Sequence, residues 1–364
     1  MANKITFLIN SLGGGGAEGV CVNIANALYD CGWQIDLILL NLDNAVRQRE
    51  LNPAIKITVL KISHARESFF KLRRFILDKK PSKILVFNYQ LACLLVFLRY
   101  FSNVKYRIIA RNIIVLSEIK RIAHSFWHKH IVHFITKVLY RKVDIIIAQS
   151  KGMIIDLITN YRIKEKNVTL INNPINKVIE SFLKSNDIKN QERGNYILCM
   201  GRLEEDKAFH YVIEAFARIS AEYPSLNLKI VGQGTLKEKL RQYAENLRVS
   251  ERVNFEGYQE YIIPYHLHAR ATVLTSLVEG FPNVLVESIA LGTPIVAFDC
   301  KSGPSEIVQE GENGYLVRYQ DIEHLTECLK KALNQDWKRD VVMATAKRYS
   351  SEKIIDEYIK ALKI

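Results

Sequence analysis

Two carboxylates frame the start of a predicted helix in LVEGFPNVLVES, residues 277–288. Glu279 stands just before this helix, and Glu287 lies about one and a half turns into it. Pro282 is typical of a first helical turn, where backbone N–H groups have no intrahelical acceptor. Such donors favour an anion or the polar edge of a sugar, and the carboxylates can accept hydrogen bonds from several hydroxyls. The alternative is an ordinary pair of glutamates, stabilised by the helix dipole.

A pair of cationic side chains occupies a second loop, within GRLEEDKAFHYVIEAF, residues 201–216. Arg202 and Lys207 follow a predicted strand and precede a helix, which places both at a carboxyl end of a sheet. Arginine offers a fork of donors to phosphate oxygens, and lysine a mobile point charge. The alternative is a solvated loop with local pairing to Glu204, Glu205 and Asp206, and this loop taken alone favours that alternative.

A run of glycines forms the third candidate site. Within NSLGGGGAEGV, residues 10–20, Gly14, Gly16 and Gly19 fit the spacing G-x-G-x-x-G, and Asp43 follows the second predicted strand. A strand before the loop and a helix after it suit a phosphate at the helix N-terminus and permit a dinucleotide site. Glycine runs also occur where a tight turn needs positive φ, so the spacing alone is a weak signal.

The elements that position these residues alternate between strands and helices. Strand-length apolar runs occupy residues 4–10, 34–42, 56–60, 83–88, 105–110, 144–150 and 168–173, and then 196–201, 226–234, 253–258, 271–276, 293–298 and 314–318. Helical patterns lie between several of them, which predicts doubly wound parallel sheets. The polar stretch at 180–195 is the predicted linker. The expected domains are 1–185 and 195–350, with 351–364 a helix returning towards the first, and the expected site is the cleft between domains.

Composition limits the class of protein. The chain has 364 residues, of which 48% are hydrophobic, enough material for two cores. No apolar run reaches 18 residues, so we expect no transmembrane helix, and the N-terminus is typical of a strand and not of a signal peptide. The cysteines show no metal-ligand spacing and are expected to be reduced thiols of a cytosolic protein; they are Cys21, Cys31, Cys93, Cys199, Cys300 and Cys328.

Charge is distributed unevenly along the chain. Residues 1–190 carry a net charge of +16, whereas residues 191–364 carry −3. A basic first half suggests an anionic partner, and nucleic acid, an anionic membrane surface or a pyrophosphate-bearing substrate would each fit.

Several motifs, taken together, resemble glycosyltransferase family 4, a family of retaining enzymes with the GT-B fold. They are EGFPNVLVE, GRLEEDK, VGQG, NFEG, TPIVAFDCKSGPSEIVQEGENGYLV, LINNPIN and the opening SLGGGGAEG. The resemblance covers nearly the whole chain, is strong in 196–318 and is weaker across 45–165, where acceptors are usually recognised. It implies an α/β protein with two Rossmann-like doubly wound domains that face each other across a cleft.

The resemblance also implies roles for matching residues. Arg202 and Lys207 are expected to hold the donor's diphosphate and stabilise the leaving group, and Glu279 to face hydroxyls of the transferred sugar; these are the expected catalytic residues. Glu287 is expected to accept from the ribose hydroxyls. The other expected donor-binding residues are Gly15, Gly16, Gly232, Gly257, Tyr258, Gly280, Phe281, Pro282 and Asn283. Two cations and helix-terminal amides can neutralise a leaving nucleoside diphosphate without a metal, so no metal or cofactor is expected.

One segment departs from the family pattern. Many relatives carry a histidine after the strand at about 105–110, whereas this chain has ARNIIVLSE, with Arg111 and Asn112. Asn112 can bind a sugar hydroxyl but cannot be a general base, and Arg111 is a candidate contact for a donor or acceptor phosphate. We therefore assign no protein base. Similar retaining enzymes are thought to let the leaving phosphate take the acceptor's proton on the same face.

Two segments are both basic and aromatic, FFKLRRFILDKK at 69–80 and SEIKRIAHSFWHKHIVHFITKVLYRK at 117–142. They suggest docking at an anionic membrane, on the cytoplasmic face of the inner membrane, to reach a lipid-linked acceptor. The alternative for the second segment is a mixed core helix with a solvated face. It also holds a histidine cluster, His124, His128, His130 and His133, but no acidic or cysteine partner completes a metal site nearby.

The sequence therefore predicts a retaining glycosyltransferase that moves a hexose or HexNAc from a nucleotide-sugar to a glycan or lipid-linked acceptor in bacterial surface glycan synthesis. A UDP-sugar is the expected donor because it is the commonest in the family. One alternative is an NAD-dependent oxidoreductase, based on the glycine loop and Asp43. The other is a non-catalytic protein that binds nucleic acid or membrane through the basic half. No aromatic RNA-binding motif accompanies that charge, so nucleic acid is not expected.

Overall fold

The structure, a computed structural model, describes residues 3–43, 45–62, 65–118 and 133–363. These residues form two compact units. The first comprises the chain up to Asn176 together with the segment from Ser351 onwards, and the second is Lys177–Ser350. The division thus falls nine residues before the expected end of the first domain at 185. Among the described residues, no helix combines the length and apolar character needed to cross a bilayer.

The first unit is built on a parallel seven-stranded sheet. Its strands are β1 Lys4–Ile9, β2 Gln34–Leu39, β3 Lys56–Val59, β4 Lys83–Val86, β5 Arg107–Arg111, β6 Ile145–Ala148 and β7 Val168–Leu170. Their order is β3-β2-β1-β4-β5-β6-β7. Side chains alternate between the two faces of the sheet: Ile5, Phe7 and Ile9 pack into one core, and Leu8 packs into the other.

Helices cover both faces of this sheet. They are α1 Gly16–Asp30, α2 Phe69–Lys79, α3 Tyr89–Tyr100, α4 His133–Leu139, α5 Lys151–Tyr161 and the C-terminal α14 Ser351–Lys363. Buried residues of α1 and α14 share one core, and those of α2, α3 and α5 share the other. Local sequence sets the helix starts: the Asn88 side chain accepts from the N–H groups of Gln90 and Leu91, and Ser150 accepts from Met153 N–H.

The second unit contains a parallel six-stranded sheet. Its strands are β8 Tyr196–Met200, β9 Asn227–Val231, β10 Val253–Gly257, β11 Ala271–Leu274, β12 Ile295–Phe298 and β13 Gly314–Val317, in the order β10-β9-β8-β11-β12-β13. Its helices are α6 Lys177–Ser185, α7 His210–Ile219, α8 Lys237–Asn246, α9 Ile263–Leu267, α10 Asn283–Ala290, α11 Pro304–Ile307, α12 Ile322–Asn334 and α13 Arg339–Ala346. All thirteen strand-length runs of the sequence form strands.

The predicted linker is partly helical. Residues 180–185 complete α6, and an irregular segment with a turn at residues 189–190 then leads to β8 at Tyr196. In this helix Ile179 is buried, and Phe182 and Leu183 are partly buried. Residues 184–195 contain a single apolar residue, Ile188, which explains why the pattern at 180–195 looks like a linker.

Arg111 ties three segments of the first unit together. It ends β5 with a relative exposure of 1%. Its Nε donates to the Tyr358 hydroxyl of α14 at 3.0 Å, and its Nη2 donates to Asn173 Oδ1. The guanidinium carbon lies 5.5 Å from the centre of the Phe87 ring, just after β4. These contacts fix the C-terminal helix to the carboxyl edge of the first sheet.

We predict that Tyr358→Phe destabilises the protein. The change leaves a buried, charged Nε donor without its acceptor, which costs about 1–3 kcal/mol of unfolding free energy. Calorimetric unfolding should show a lower Tm. The control is Tyr100→Phe, because the side chain of Tyr100 is 67% exposed. Equal Tm values for the two variants would show that the Arg111–Tyr358 hydrogen bond contributes nothing measurable.

Candidate active site

The strand order of the second sheet reverses between β8 and β11. From β8 the chain proceeds to β9 and β10 on one side, and from β11 to β12 and β13 on the other. In open parallel sheets, ligands bind beside the carboxyl ends of the strands at such a switch point. The loops that follow β8 and β11 carry Lys207 and Glu279, so both residues lie there.

Lys207 and Glu279 form an ion pair across the switch point. Lys207 Nζ lies 2.6 Å from Glu279 Oε1 and 3.7 Å from Asp206 Oδ2. The side chains of Lys207 and Glu279 are only 19% and 12% exposed. Burial by itself lowers the pKa of the Lys207 ammonium, but Glu279, joined by Asp206, outweighs it and raises that pKa. A fixed positive charge therefore stands beside a carboxylate at the edge of the sheet.

Hydrogen bonds to backbone carbonyl groups hold the two loops together. The Thr275 hydroxyl donates to the carbonyl oxygens of Lys207 and Ala208, at 3.2 and 3.1 Å. Leu277 N–H donates to the Asp206 carbonyl at 2.8 Å. Because these bonds join the chain on both sides of the ion pair, its geometry does not depend on the two charged side chains alone.

Arg202 supplies a second, more mobile cation. Its side chain is 72% exposed, and Nη2 lies 3.7 Å from Asp206 Oδ2. A long, exposed pair of this kind contributes little stability, so the guanidinium can turn to another anion at small cost.

Glycines let the loops after β8, β9 and β10 approach backbone to backbone. Gly232 has φ +143, and a Cβ there would lie 1.8 Å from the carbonyl oxygen of Gly201. Gly232 N–H donates to the Gly257 carbonyl at 2.8 Å. A Cβ on Gly234 would lie 2.3 Å from the Leu203 carbonyl oxygen. The loop that carries Arg202 and Lys207 therefore rests directly on the glycine turns after β9.

Tyr258 follows these turns at the end of β10. Its side chain is 47% exposed, next to Gly257, whose φ of +71 turns the chain away from the sheet. The ring is thus available to a flat group that lies against this edge.

The predicted helix after Glu279 is α10, Asn283–Ala290, with Pro282 as its N-cap. Pro282 thus lies one residue before the first turn, in which the sequence analysis expects it. The Phe281 ring is 5% exposed and packs edge-on against Tyr349, with ring centres 5.4 Å apart. Glu287 is the fifth residue of the helix and is partly exposed.

Two residues behind this turn have no role in the sequence analysis. The Ser302 hydroxyl donates to the Gly280 carbonyl at 2.9 Å. Gly303 has φ +97, and a Cβ there would lie 2.6 Å from Pro282 Cδ. Together they support the segment Gly280–Pro282 from below. Both residues lie in the segment SGPSE, within one of the motifs that resemble the family. The glycine before a proline in that segment is the sequence signal that could have pointed to them.

The glycine run of the first unit lies at the corresponding reversal, between β1 and β4. Gly15 is the N-cap of α1 with φ −76, and Gly16 is its first residue. None of the glycines at 13–16 has positive φ. A tight turn therefore does not explain them, and their effect is to leave the start of α1 without side chains.

The two residues at the site of the missing histidine are buried. Asn112 is 2% exposed, and its side-chain amide donates to the Ile114 carbonyl at 2.9 Å. Among the described residues, Asn112 Oδ1 and Arg111 Nη1 have no hydrogen-bond partner. Arg111 Nε and Nη2 donate to Tyr358 and Asn173, and a contact of Arg111 with a substrate phosphate stays a prediction.

The histidine cluster falls largely outside the described residues, which include His133 but not His124, His128 or His130. His133 Nδ1 lies 3.2 Å from the Tyr161 hydroxyl. Within the described ranges, no group of three or more His, Cys, Asp or Glu side chains is arranged to hold a metal ion.

Family models match both units. Residues 14–177 match Glycosyltransferase Family 4, and residues 181–349 match Glycosyl transferases group 1. The chain belongs to glycosyltransferase family 4. This membership excludes the alternative of an NAD-dependent oxidoreductase, which was based on the glycine run. The roles of individual residues in the glycosyltransferase stay predictions.

Relatives extend over the full length of this glycosyltransferase. An uncharacterized glycosyltransferase of Haemophilus influenzae is 29% identical over 98% of each chain. The N-acetylgalactosamine-N,N'-diacetylbacillosaminyl-diphospho-undecaprenol 4-alpha-N-acetylgalactosaminyltransferase of Campylobacter jejuni is 28% identical over 99% of each. Among solved structures, Anabaena HepE in complex with UDP-glucose superposes with a TM-score of 0.78 at 18% identity, over 99% of each chain. The fold of the glycosyltransferase is GT-B.

We predict that Glu279→Gln moves the alkaline limb of the pH–activity profile to lower pH. Without the carboxylate, burial dominates at Lys207, its pKa falls, and its charge is lost earlier as pH rises. The measurement is kcat/KM for glycosyl transfer from about pH 7 to pH 10.5. Asp206→Asn is the control, because this more distant carboxylate should give a smaller shift. If the alkaline limb does not move in Glu279→Gln, the charge on Lys207 that Glu279 maintains is not what limits activity at high pH.

We predict that Gly232→Ala disrupts the loop that carries Arg202 and Lys207, called here the cation loop. The new Cβ would collide with the Gly201 carbonyl, so the loop must move or the second unit must lose stability, by about 2 kcal/mol or more. Gly311→Ala is the matched control: it meets the strain of positive φ, about 1–2 kcal/mol, but no atom lies within 4 Å of its Cβ. Thermal unfolding and nucleotide binding measure the difference, and equal effects would mean that the close approach is unimportant.

Proposed function

We propose that the enzyme is a retaining glycosyltransferase that transfers a hexose or HexNAc unit from a UDP-sugar to a lipid-linked glycan acceptor, without a metal ion. Two comparisons support this choice of substrates. Anabaena HepE was solved with UDP-glucose. The Campylobacter jejuni relative is named for transfer to a diphospho-undecaprenol-linked sugar.

The Lys207–Glu279 pair at the carboxyl edge of the second sheet is the observation that carries the proposal. Breaking the bond between the sugar's anomeric carbon and the diphosphate leaves negative charge on the leaving oxygen. Lys207, kept protonated by its carboxylate partners, is fixed where it can neutralise that charge, and Arg202 can turn to join it. Glu279 then accepts hydrogen bonds from the sugar's hydroxyls on the same side of the site.

The leaving diphosphate serves as the base in this mechanism. Asn112, which stands where many relatives carry a histidine, has an amide that cannot take a proton. The acceptor hydroxyl therefore approaches on the face that the diphosphate leaves, its oxygen bonds to the anomeric carbon, and its proton passes to the departing phosphate oxygen. Attack on the same face retains the anomeric configuration.

The first experiment is thermal unfolding with UDP, GDP, UDP-GlcNAc, UDP-GalNAc, UDP-Glc, UDP-Gal and NAD. A ligand at 100 times its Kd stabilises the native state by about 2.7 kcal/mol, which raises Tm by several degrees. We expect UDP and one UDP-sugar to do so, with the same shift in excess EDTA. Stabilisation by NAD alone would overturn the proposal, and loss of the shift in EDTA would overturn metal independence.

The same assay tests Glu287 as the ribose acceptor. Glu287→Ala should reduce the UDP-induced shift, because the ribose hydroxyls lose their carboxylate. Glu238→Ala is the matched control, a glutamate of α8 that is 79% exposed. With the donor identified, NMR of the product decides between retention and inversion of the anomeric centre.

A further inference from the structure

An unusual group of aromatic rings lies on the surface of the first unit. Phe69 and Phe70 open α2, Phe97 lies in the last turn of α3, and Phe101 follows it. Their ring centres are 5.1 Å apart for Phe69–Phe70, 5.9 Å for Phe69–Phe97 and 4.7 Å for Phe97–Phe101. The four rings form a continuous aromatic ridge across two packed helices.

The aromatic ridge is exposed although its rings touch. Phe70 is 79% exposed, Phe101 56% and Phe97 41%, and the neighbouring Tyr100 is 67% exposed. Phe69 is partly buried and packs against the core beneath, which anchors the ridge. A contiguous exposed apolar surface of this kind marks an interaction site, unlike isolated surface hydrophobes.

Basic side chains of α2 adjoin the aromatic ridge. Residues 69–80 hold five basic side chains and one acidic side chain. Only Leu72 and Ile76 of α2 are buried, so most of its polar face points to solvent. Arg74 is 86% exposed and stands four residues after Phe70, on the same side of the helix.

A basic groove adjoins the same helix. It has a volume of about 370 Å³ and lies between α2 and the segment after β3. Its lining includes Lys61, Lys71, Arg74 and Asp78. Lys71 Nζ donates to the Leu60 carbonyl at 2.8 Å, which holds the ammonium at the groove. The groove suits an anionic phosphate group that approaches beside the rings.

We propose that the aromatic ridge is the surface by which this enzyme docks on an anionic bilayer, with its rings among the acyl chains and the α2 cations on lipid phosphates. Projecting rings flanked by lysine and arginine are the composition of an interfacial membrane site. A second copy of the chain fits less well, because a twofold contact would bring the two basic α2 helices together. The inference goes beyond the transfer reaction, since it assigns a membrane surface and not an acceptor.

The test is flotation of the whole protein with vesicles of phosphatidylcholine alone or with about 30% phosphatidylglycerol. The wild type should bind the anionic vesicles. Phe70→Ser/Phe101→Ser should lower the partition coefficient about tenfold at every salt concentration, because it removes the apolar contact. Arg73→Glu/Arg74→Glu should lower it chiefly at low salt, because that contribution is screened.

Matched controls lie on the opposite face of the same sheet. Lys353→Glu/Lys360→Glu reverses two exposed charges of α14 and should leave vesicle binding unchanged. All variants should keep the UDP-induced Tm shift of the wild type, which shows an intact fold. If UDP produces no Tm shift in the wild type, the proposed function is refuted, and the vesicle-binding result still stands.

Two outcomes would overturn the docking proposal. One is that Phe70→Ser/Phe101→Ser binds anionic vesicles as well as the wild type does. The other is a wild-type dimer, seen by light scattering, that Phe70→Ser/Phe101→Ser converts to a monomer without loss of vesicle binding. The second outcome would assign the ridge to self-association.

Discussion

The geometry of the candidate site depends on keeping one largely buried lysine charged at the carboxyl edge of the second sheet. A buried ammonium is costly unless a carboxylate stands beside it. Lys207 and Glu279 are 72 residues apart in the chain, and the parallel order β8–β11 brings their loops together. Hydrogen bonds from the Thr275 hydroxyl and from Leu277 N–H then fix the two loops, so the ion pair is positioned by the sheet and not by the flexibility of a lysine side chain.

The glycines of this unit serve the same constraint. If the cation loop stood away from the sheet, Lys207 would be solvated and would need no partner. It lies close because Gly232 and Gly234 present bare backbone to it, at distances that exclude any Cβ. On the other side, Gly303 lets a neighbouring loop reach beneath Pro282. Charge placement in this site is therefore a consequence of backbone packing at the ends of four parallel strands.

Much of this arrangement is accessible from the sequence. Buried parallel strands are short, apolar and β-branched, so all thirteen are visible as runs, and the cations and carboxylates stand next to those runs. The side-chain contacts between distant parts of the chain are not accessible in this way. The contact of Arg111 with Tyr358 spans 247 residues, and no local pattern encodes it. Helix α6 escapes detection because its nine residues are too few to show a clear helical period, and Ser302 because a hydroxyl that donates to a carbonyl leaves no period in the sequence.

The charge asymmetry of the chain can now be interpreted in terms of position. A nucleotide diphosphate at the second unit would meet Arg202 and Lys207, yet residues 191–364 are slightly negative overall, so donor binding needs only local cations. The +16 of residues 1–190 is therefore more charge than donor binding at the second unit requires. Residues 69–80, with five basic side chains and one acidic side chain, contribute a net +4 to this charge, beside exposed aromatic rings. Charge alone would suit any anion; charge combined with exposed aromatic rings favours a surface with both phosphate and hydrocarbon, as a bilayer has.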